Sequence, residues 1–474
     1  MNLSRIIERW AAHTPERTAL HFEGEDISYA GLWGRTQQLS RSLAALGIGA
    51  GDRIAYLGFN HPEMLGLLFA AARLGALLVP LNWRLTAKEH GAILADCTPG
   101  VLFFEDEFAA HAAGLPVAKR VALGAQLPEA EPVVAGNDTS EVLVVYTSGT
   151  TGTAKGAVLD QAALLWNGYN SIHAHAMTQA DQVLSPLPMF HVGGLNNQTL
   201  PALLAGATVT LHRRFEPGRW LADVAARRPT LSLLVPATLQ AVIAHPAWEA
   251  TDLSSLRMVN TGSMIVPGSL IRAFHARGVP VGQIYGATET APLATVLMAH
   301  DAYSKAGSAG KPALHCEVRI VEGEIQVRGP NVMRRYWNNP EATAEAMDGD
   351  GWFRTGDLGR WDAEGFLWID GRSKELIISG GENIHPAELE NVLADCAAIA
   401  ESAVIGIEDP KWGEAACAIV VRKPGMAIDE AGVLALFADR LARFKHPRRV
   451  IFADALPRNA MGKVQKFALR ALAK

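Results

Sequence analysis

Val142-Leu143-Val144-Val145-Tyr146-Thr147-Ser148-Gly149-Thr150-Thr151-Gly152-Thr153-Ala154-Lys155-Gly156 is an apolar run that breaks into glycines and hydroxyls and ends on a lysine. Its first five residues read as a buried strand, with a helical stretch expected beyond the loop. Glycines let successive backbone N–H groups turn toward one centre and form an anion nest. Thr147, Ser148, Thr150, Thr151 and Thr153 add hydroxyl donors, and Lys155 adds a positive charge. A polyphosphate has enough acceptor oxygens to satisfy such a loop. The plain alternative, a flexible Ser/Thr/Gly linker, fits poorly behind a buried strand. A Walker A loop needs GxxxxGK[ST], but Ala154 precedes Lys155 and Gly156 follows it. At Gly49–Ile54 a dinucleotide fingerprint lacks its third glycine, and the chain contains no GxSxG nucleophile elbow.

Outward from this loop, strand-length apolar runs alternate with amphipathic helical stretches. Arg53–Leu57, Gly100–Phe104, Thr208–Leu211 and Leu231–Val235 are of the first kind; His61–Leu74 and Trp220–Arg227 are of the second. Such alternation predicts an α/β architecture of layered, largely parallel sheets. Gln126–Ser140, rich in Glu, Pro and Gly, reads as an exposed loop. A domain boundary is expected near Asp370–Lys374. Gly365–Asp370 reads as the last strand of the first unit. Strand Leu376–Ser379, helix Pro386–Ala394 and strand Ala416–Val421 begin a small α+β unit. The expected division is residues 1–371, a hinge at 372–374, and residues 375–474.

A length of 474 residues exceeds one ordinary core, and 49% hydrophobic with 19% charged residues describes a globular chain. The net charge of −5 and the absence of a basic run give no reason to expect nucleic acid. Cys97, Cys316, Cys396 and Cys417 lie far apart without metal-ligand spacing, which fits thiols in a reducing compartment. Charges throughout residues 1–20 argue against a signal peptide, so a cytoplasmic location is expected. The apolar stretch Met64–Trp83 contains Arg73 and Pro80, and reads as a buried helix running into a strand.

The Tyr146–Gly156 loop resembles the signature of the adenylate-forming superfamily, which includes acyl-CoA synthetases, luciferases and peptide-synthetase adenylation domains. Its other motifs follow in order along nearly the whole chain. Tyr285-Gly286-Ala287-Thr288-Glu289-Thr290 resembles the second nucleotide motif. The resemblance implies that Tyr285 packs by the adenine, Thr288 reaches the α-phosphate and Glu289 holds Mg²⁺. A hard cation suits that task because it takes oxygen ligands and spreads phosphate charge. Trp352-Phe353-Arg354-Thr355-Gly356-Asp357 resembles the ribose motif, where a carboxylate accepts from two hydroxyls, and Arg372 belongs to the motif after it. Pro457–Lys463 resembles the catalytic-lysine motif. Lys463 would offset repulsion between the incoming carboxylate and the α-phosphate. Lys466 and Lys474, by contrast, are expected to be solvated. Gly307–Pro312 matches a family loop with a structural role.

The same resemblance makes Lys374 the hinge residue about which the C-terminal domain rotates between half-reactions. Rotation would withdraw Lys463 and bring Ser379–Asn383, with Gly381, toward the pantetheine arm of CoA. Trp412 would pack near the CoA nucleotide; a core or surface tryptophan is the plain alternative. Pro188–Leu195 resembles the motif bordering the acyl pocket, with His191 at its centre, and a satisfied core histidine is the plain alternative there. Peptide-synthetase domains carry Asp after the Phe of this motif; His191-Val192 stands here instead, against an amino acid substrate. Two departures stand out. Thr261-Gly262-Ser263-Met264-Ile265 replaces a Gly-Gly-Ala-Pro stretch, and the link Val321–Glu324 is shorter than usual.

The implied activity is an ATP-dependent acid:CoA ligase using ATP, Mg²⁺ and CoA, on a medium- or long-chain fatty acid. An aryl acid of the feruloyl or benzoyl kind is the alternative substrate, and a carrier protein the alternative acceptor. A luciferase-like oxygenase or a non-catalytic nucleotide-binding protein are the rival classes, and a homodimer is compatible with all of these readings.

Overall fold

The structure is a computed structural model that describes residues 2–148, 154–264, 266–380, 382–438, 440–458 and 464–473. Of the expected site residues, Gly149, Thr150, Thr151, Gly152, Gly381 and Lys463 lie outside the described residues, as does Lys474.

Two large sheets organise the N-terminal part. In the nine-stranded sheet, Thr18–Phe22, Thr208–Leu211, Gln182–Ser185, Leu231–Leu234, Met258–Gly262 and Val281–Tyr285 run parallel side by side. In the seven-stranded sheet, Arg120–Ala122, Val101–Phe104, Arg53–Leu57, Leu77–Leu81 and Glu141–Ser148 do the same. Helices fill the space between them. One apolar cluster joins Leu20, Val183 and Val209 of the first sheet to Ile54, Leu78 and Leu143 of the second through Leu32, Leu67, Leu164 and Leu203. Parallel strands buried on both faces explain the near-continuous apolar runs of the sequence.

The helix Pro62–Leu74 shows why the most membrane-like stretch is a core element. It is buried almost all round, opens on His61, whose Nδ1 accepts from Glu63 N–H, and closes on Gly75 at φ +75°. Strand Leu77–Leu81 follows it, as expected. Among the described residues no helix is long and apolar enough to cross a membrane. The 126–140 segment carries no regular structure and exposes Val133 and Val134, yet it is pinned at Gly136. There the N–H donates to Arg73 O at 3.0 Å, and a Cβ would lie 1.7 Å from Ala72 O.

An antiparallel four-stranded sheet follows, made of Glu317–Val321, Glu324–Arg328, Phe353–Trp361 and Leu367–Arg372. The short link noted in the sequence is a two-residue hairpin turn, with Glu322 at φ +51° and Gly323 at φ +83°. Two consecutive left-handed residues match the twist of the flanking strands, so the shortened loop closes without a bulge. After Arg372 the chain changes sheet. Ile377–Ser379, Glu382–Ile384, Ile399–Asp409, Gly413–Arg422 and Arg449–Phe452 form a mainly antiparallel sheet covered by Pro386–Ala394.

Candidate active site

The phosphate motif begins and ends on paired strands. Glu141–Ser148 and Ala154–Asp160 pair antiparallel, with Tyr146 opposite Gly156 and Thr147 opposite Lys155. The helix expected directly beyond the loop begins only at Gln161; a strand intervenes. Val158 is fully buried between neighbouring strands, and that burial outweighs the helical reading of the segment. The hairpin is held from below. Tyr146 donates to Asp96 Oδ2 at 2.5 Å, and Trp337 donates through Nε1 to Asp96 O at 3.2 Å. Gly156 has to be small, because a Cβ there would meet Val144 at 2.8 Å and Trp337 at 3.2 Å.

Lys155 connects this hairpin to the second motif through a residue the motifs do not contain. Its Nζ lies 5.4 Å from the ring centroid of Tyr336. Tyr336 in turn donates its hydroxyl to Glu289 Oε1 at 2.6 Å. Burial, and then the Glu289 charge, push the Tyr336 phenol above its ordinary pKa, so it remains a donor. Glu289 and Thr288 lie on the short 3-10 turn Thr288–Thr290, whose backbone is tied down by Met333 N–H donating to Glu289 O at 2.7 Å. Gly286 leads into the turn, and a Cβ on it would stand 1.7 Å from Pro292 O.

The ribose motif joins from the other side. Asp357 and Arg372 are opposite each other on paired strands, and Arg372 Nε lies 2.7 Å from Asp357 Oδ1. Tyr285 donates to the second oxygen at 2.9 Å. Arg372 also donates to Thr355 O at 3.2 Å. Tyr285 is held protonated by burial and by the Asp357 charge beside it. Thus Lys155, Tyr336 and Glu289 form one chain of contacts, and Tyr285, Asp357 and Arg372 a second. Tyr285 and Glu289, four residues apart, join the two. These positions are far apart in sequence, so only the fold brings them together.

His191 sits half-buried, its ring 4.3 Å from that of Phe190. Phe190, Val192 and Leu195 around it are buried. The segment is shaped by Asn60, which accepts from Met189 N–H at 2.7 Å and donates to both Leu187 O and His212 O at 2.9 Å. Gly194 packs so closely that a Cβ would lie 2.2 Å from Pro188 O. Neither Asn60 nor Tyr336 carries a sequence signal beyond its residue type, so sequence reading passes over both. Of the replaced Gly-Gly-Ala-Pro stretch, Thr261 is fully buried while Met264 is exposed.

Trp412 and Gly380 form a separate group. Gly380, at φ +61°, donates to Trp412 O at 2.7 Å, and a Cβ there would strike the indole at 2.5 Å. Lys411 and Arg448 lie 4.8 Å and 5.1 Å from the indole ring. Lys374 is exposed on the turn Ser373–Glu375. Lys466 corrects an expectation: it is half-buried and paired rather than free in solvent. Its Nζ lies 2.9 Å from both Glu375 Oε2 and Glu390 Oε1, and the two carboxylates raise its pKa against the opposing effect of burial. The fold converges those two acids on one lysine, which no local pattern announces.

The family model described as AMP-binding enzyme matches residues 7–337, and that of the AMP-binding enzyme C-terminal domain matches residues 388–463. An indoleacetate–CoA ligase of Aromatoleum aromaticum is 50% identical over 501 aligned residues, covering 100% of this chain and 98% of that protein. A feruloyl-CoA synthase of an Amycolatopsis species is 40% identical, covering 98% of this chain and 97% of that protein. Among solved structures, o-succinylbenzoate CoA synthetase of Bacillus subtilis in complex with its acyl-adenylate intermediate superposes with a TM-score of 0.90. It is 33% identical and covers 98% of this chain and 97% of that one. The chain therefore belongs to the AMP-binding enzyme family, the adenylate-forming superfamily that its motifs resemble.

Proposed function

We propose that this chain is an AMP-forming acid–thiol ligase that activates an aryl-substituted carboxylic acid and passes the acyl group to CoA. In the first step a carboxylate oxygen attacks the α-phosphorus of ATP, giving acyl-AMP and pyrophosphate. In the second the CoA thiolate attacks the acyl carbon and AMP leaves. The observation that carries the first step is the Lys155–Tyr336–Glu289 chain meeting Tyr285–Asp357–Arg372. It links Lys155 to Glu289 and Tyr285 to Asp357, which supports reading Glu289 as the metal-binding carboxylate and Asp357 as the diol-binding one.

Within this reading Asp357 and Arg372 take the ribose hydroxyls, Tyr285 and Gly286 flank the base, and Thr147 to Gly152 with Lys155 cradle the phosphates. Thr288 contacts the α-phosphate, and Lys463 stabilises charge as the bond to it forms. Among the described residues no group of three or more His, Cys, Asp or Glu is placed to hold a metal. A single carboxylate suits Mg²⁺, which fills its remaining positions with phosphate oxygens and water. Glu289 would hold it, where the ion spreads phosphate charge as pyrophosphate leaves. For the thiol step, residues 375–474 turn about 372–374 at Lys374, and Gly381 and Trp412 line the path of CoA. The free cysteines, three of them buried, accord with work in the cytoplasm.

The aryl acid rests on full-length relatedness to ligases of indoleacetate and feruloyl substrates. The buried wall of Phe190, Val192 and Leu195 suits a flat apolar ring. It suits a medium- or long-chain fatty acid as well, which is the second reading. An acid panel scored by pyrophosphate release, with and without CoA, tests all of this. Aryl acids should be turned over fastest, with thioester formed only when CoA is present. Preference for a fatty acid would overturn the aryl reading, and adenylate without thioester would point to another acceptor.

A further inference from the structure

Three consecutive amides lie buried on the turn after the His191 segment: Asn196, Asn197 and Gln198, at 0%, 6% and 2% exposure. They sit on a π-helical turn, Leu195–Thr199, a form that recurs at functional sites. Each leaves its side-chain carbonyl oxygen buried without a hydrogen-bond partner.

Gln198 is the most constrained. Gly282 O can only accept, and Asn260 Nδ2 donates to it at 3.4 Å. Asn260 Oδ1 therefore faces Gln198 Nε2, which donates to it at 2.9 Å. The direction of donation leaves Gln198 Oε1 as the unmatched atom. Nor can the neighbouring hydroxyls supply a proton. Gln198 lines a cavity of about 10 Å³ with Ser185, Gly193, Gly194, Thr199 and Leu233. Thr199 donates to Gly194 O at 2.7 Å, so Ser185, 2.5 Å away, must spend its own proton on Thr199. Both hydroxyl donors are engaged. The cavity holds one water-sized group.

We propose that the acid bears a hydrogen-bond donor on its ring, an N–H or phenolic O–H, and that Gln198 Oε1 receives it. The proposal rests on the acyl site lying against His191–Leu195. The ring would lie on the Gly193 side, where a Cβ would meet only Asn197 Nδ2 at 3.8 Å, with only its donor entering the cavity. A site with an unpaired buried acceptor rejects an analogue lacking the donor by about tenfold or more.

The test compares matched acids on the wild-type enzyme: indole-3-acetic with benzofuran-3-acetic acid, and 4-hydroxycinnamic with cinnamic acid. In each pair kcat/KM for thioester formation should favour the donor-bearing acid at least about tenfold. In Gln198→Leu the ratio within the preferred pair should fall to about one. A ratio is unaffected by partial loss of folded protein. Equal kcat/KM within both pairs overturns the donor role, means that water satisfies Gln198, and leaves the ligase reading standing. A ratio unchanged in Gln198→Leu overturns the assignment to Gln198. If no acid of the four gives ATP-dependent pyrophosphate release, both the ligase reading and this inference fall.

Discussion

Tyr336 is the residue on which the proposed nucleotide site turns, since it touches Lys155 with its ring and Glu289 with its hydroxyl. Tyr336→Phe keeps the ring and removes one hydrogen bond to a charged group, a loss of about 1.5–3 kcal/mol. Adenylation, read as acid-dependent pyrophosphate release, should fall by about ten- to a hundredfold, with the thermal midpoint lowered by a few degrees. Lys463 is proposed to act on one half-reaction only. Lys463→Ala should abolish pyrophosphate release yet form thioester from supplied acyl-AMP at close to the parental rate. Equal loss of both would remove its assigned role. The roles proposed for Glu289, Asp357 and Lys463 rest on motif spacing. Tyr336 was not legible in the sequence, because a tyrosine 47 residues beyond Glu289 has no local pattern to mark it.

At the scale of elements, most strands and helices follow from periodicity, because a buried parallel strand and an amphipathic helix leave different apolar rhythms. Pro386–Ala394 and Arg53–Leu57 have the bounds the sequence suggests. The strand Ala154–Asp160 does not, since pairing across the loop, rather than its own residues, makes it extended. The C-terminal helix Lys466–Leu472 is anchored by the pairing of Lys466 with Glu375 and Glu390. Lys466→Met should destabilise by about 1 kcal/mol, because the three groups keep partial solvent contact. A lowered urea midpoint with an unchanged slope is the measurement. Lys466→Arg should retain most of the lost stability.

For the whole molecule, acid should weaken the fold through buried histidines. His90 donates from Nε2 to Asn82 O and faces His111, while His175 is held against Ser171; burial lowers both to about 4. The unfolded chain takes up protons near 6.5 and the native one only near 4, so stability is full above 6.5 and falls between those values. Urea midpoints measured from pH 7.5 to 4 should show this decline, and His90→Gln should flatten it. The two half-reactions also make a whole-molecule prediction. Lys374→Pro, which restricts the backbone at the proposed hinge, should spare adenylation and slow thioester formation. Thioester formation at the parental rate would exclude rotation about that residue.

The sequence by itself determined the layered α/β architecture and the order of the adenylation motifs, and it is the ground for proposing a polyphosphate role for the 146–156 loop. These depend on periodicity and on short contiguous spacings, which local residues carry in full. Only the tertiary structure decided what surrounds those motifs. It placed Tyr336 between Lys155 and Glu289, tied Asp357 to Tyr285 and Arg372, closed Lys466 on two acids, and left Gln198 with an unmatched oxygen. Each of these joins residues distant in sequence, and their geometry exists only once the sheets have packed.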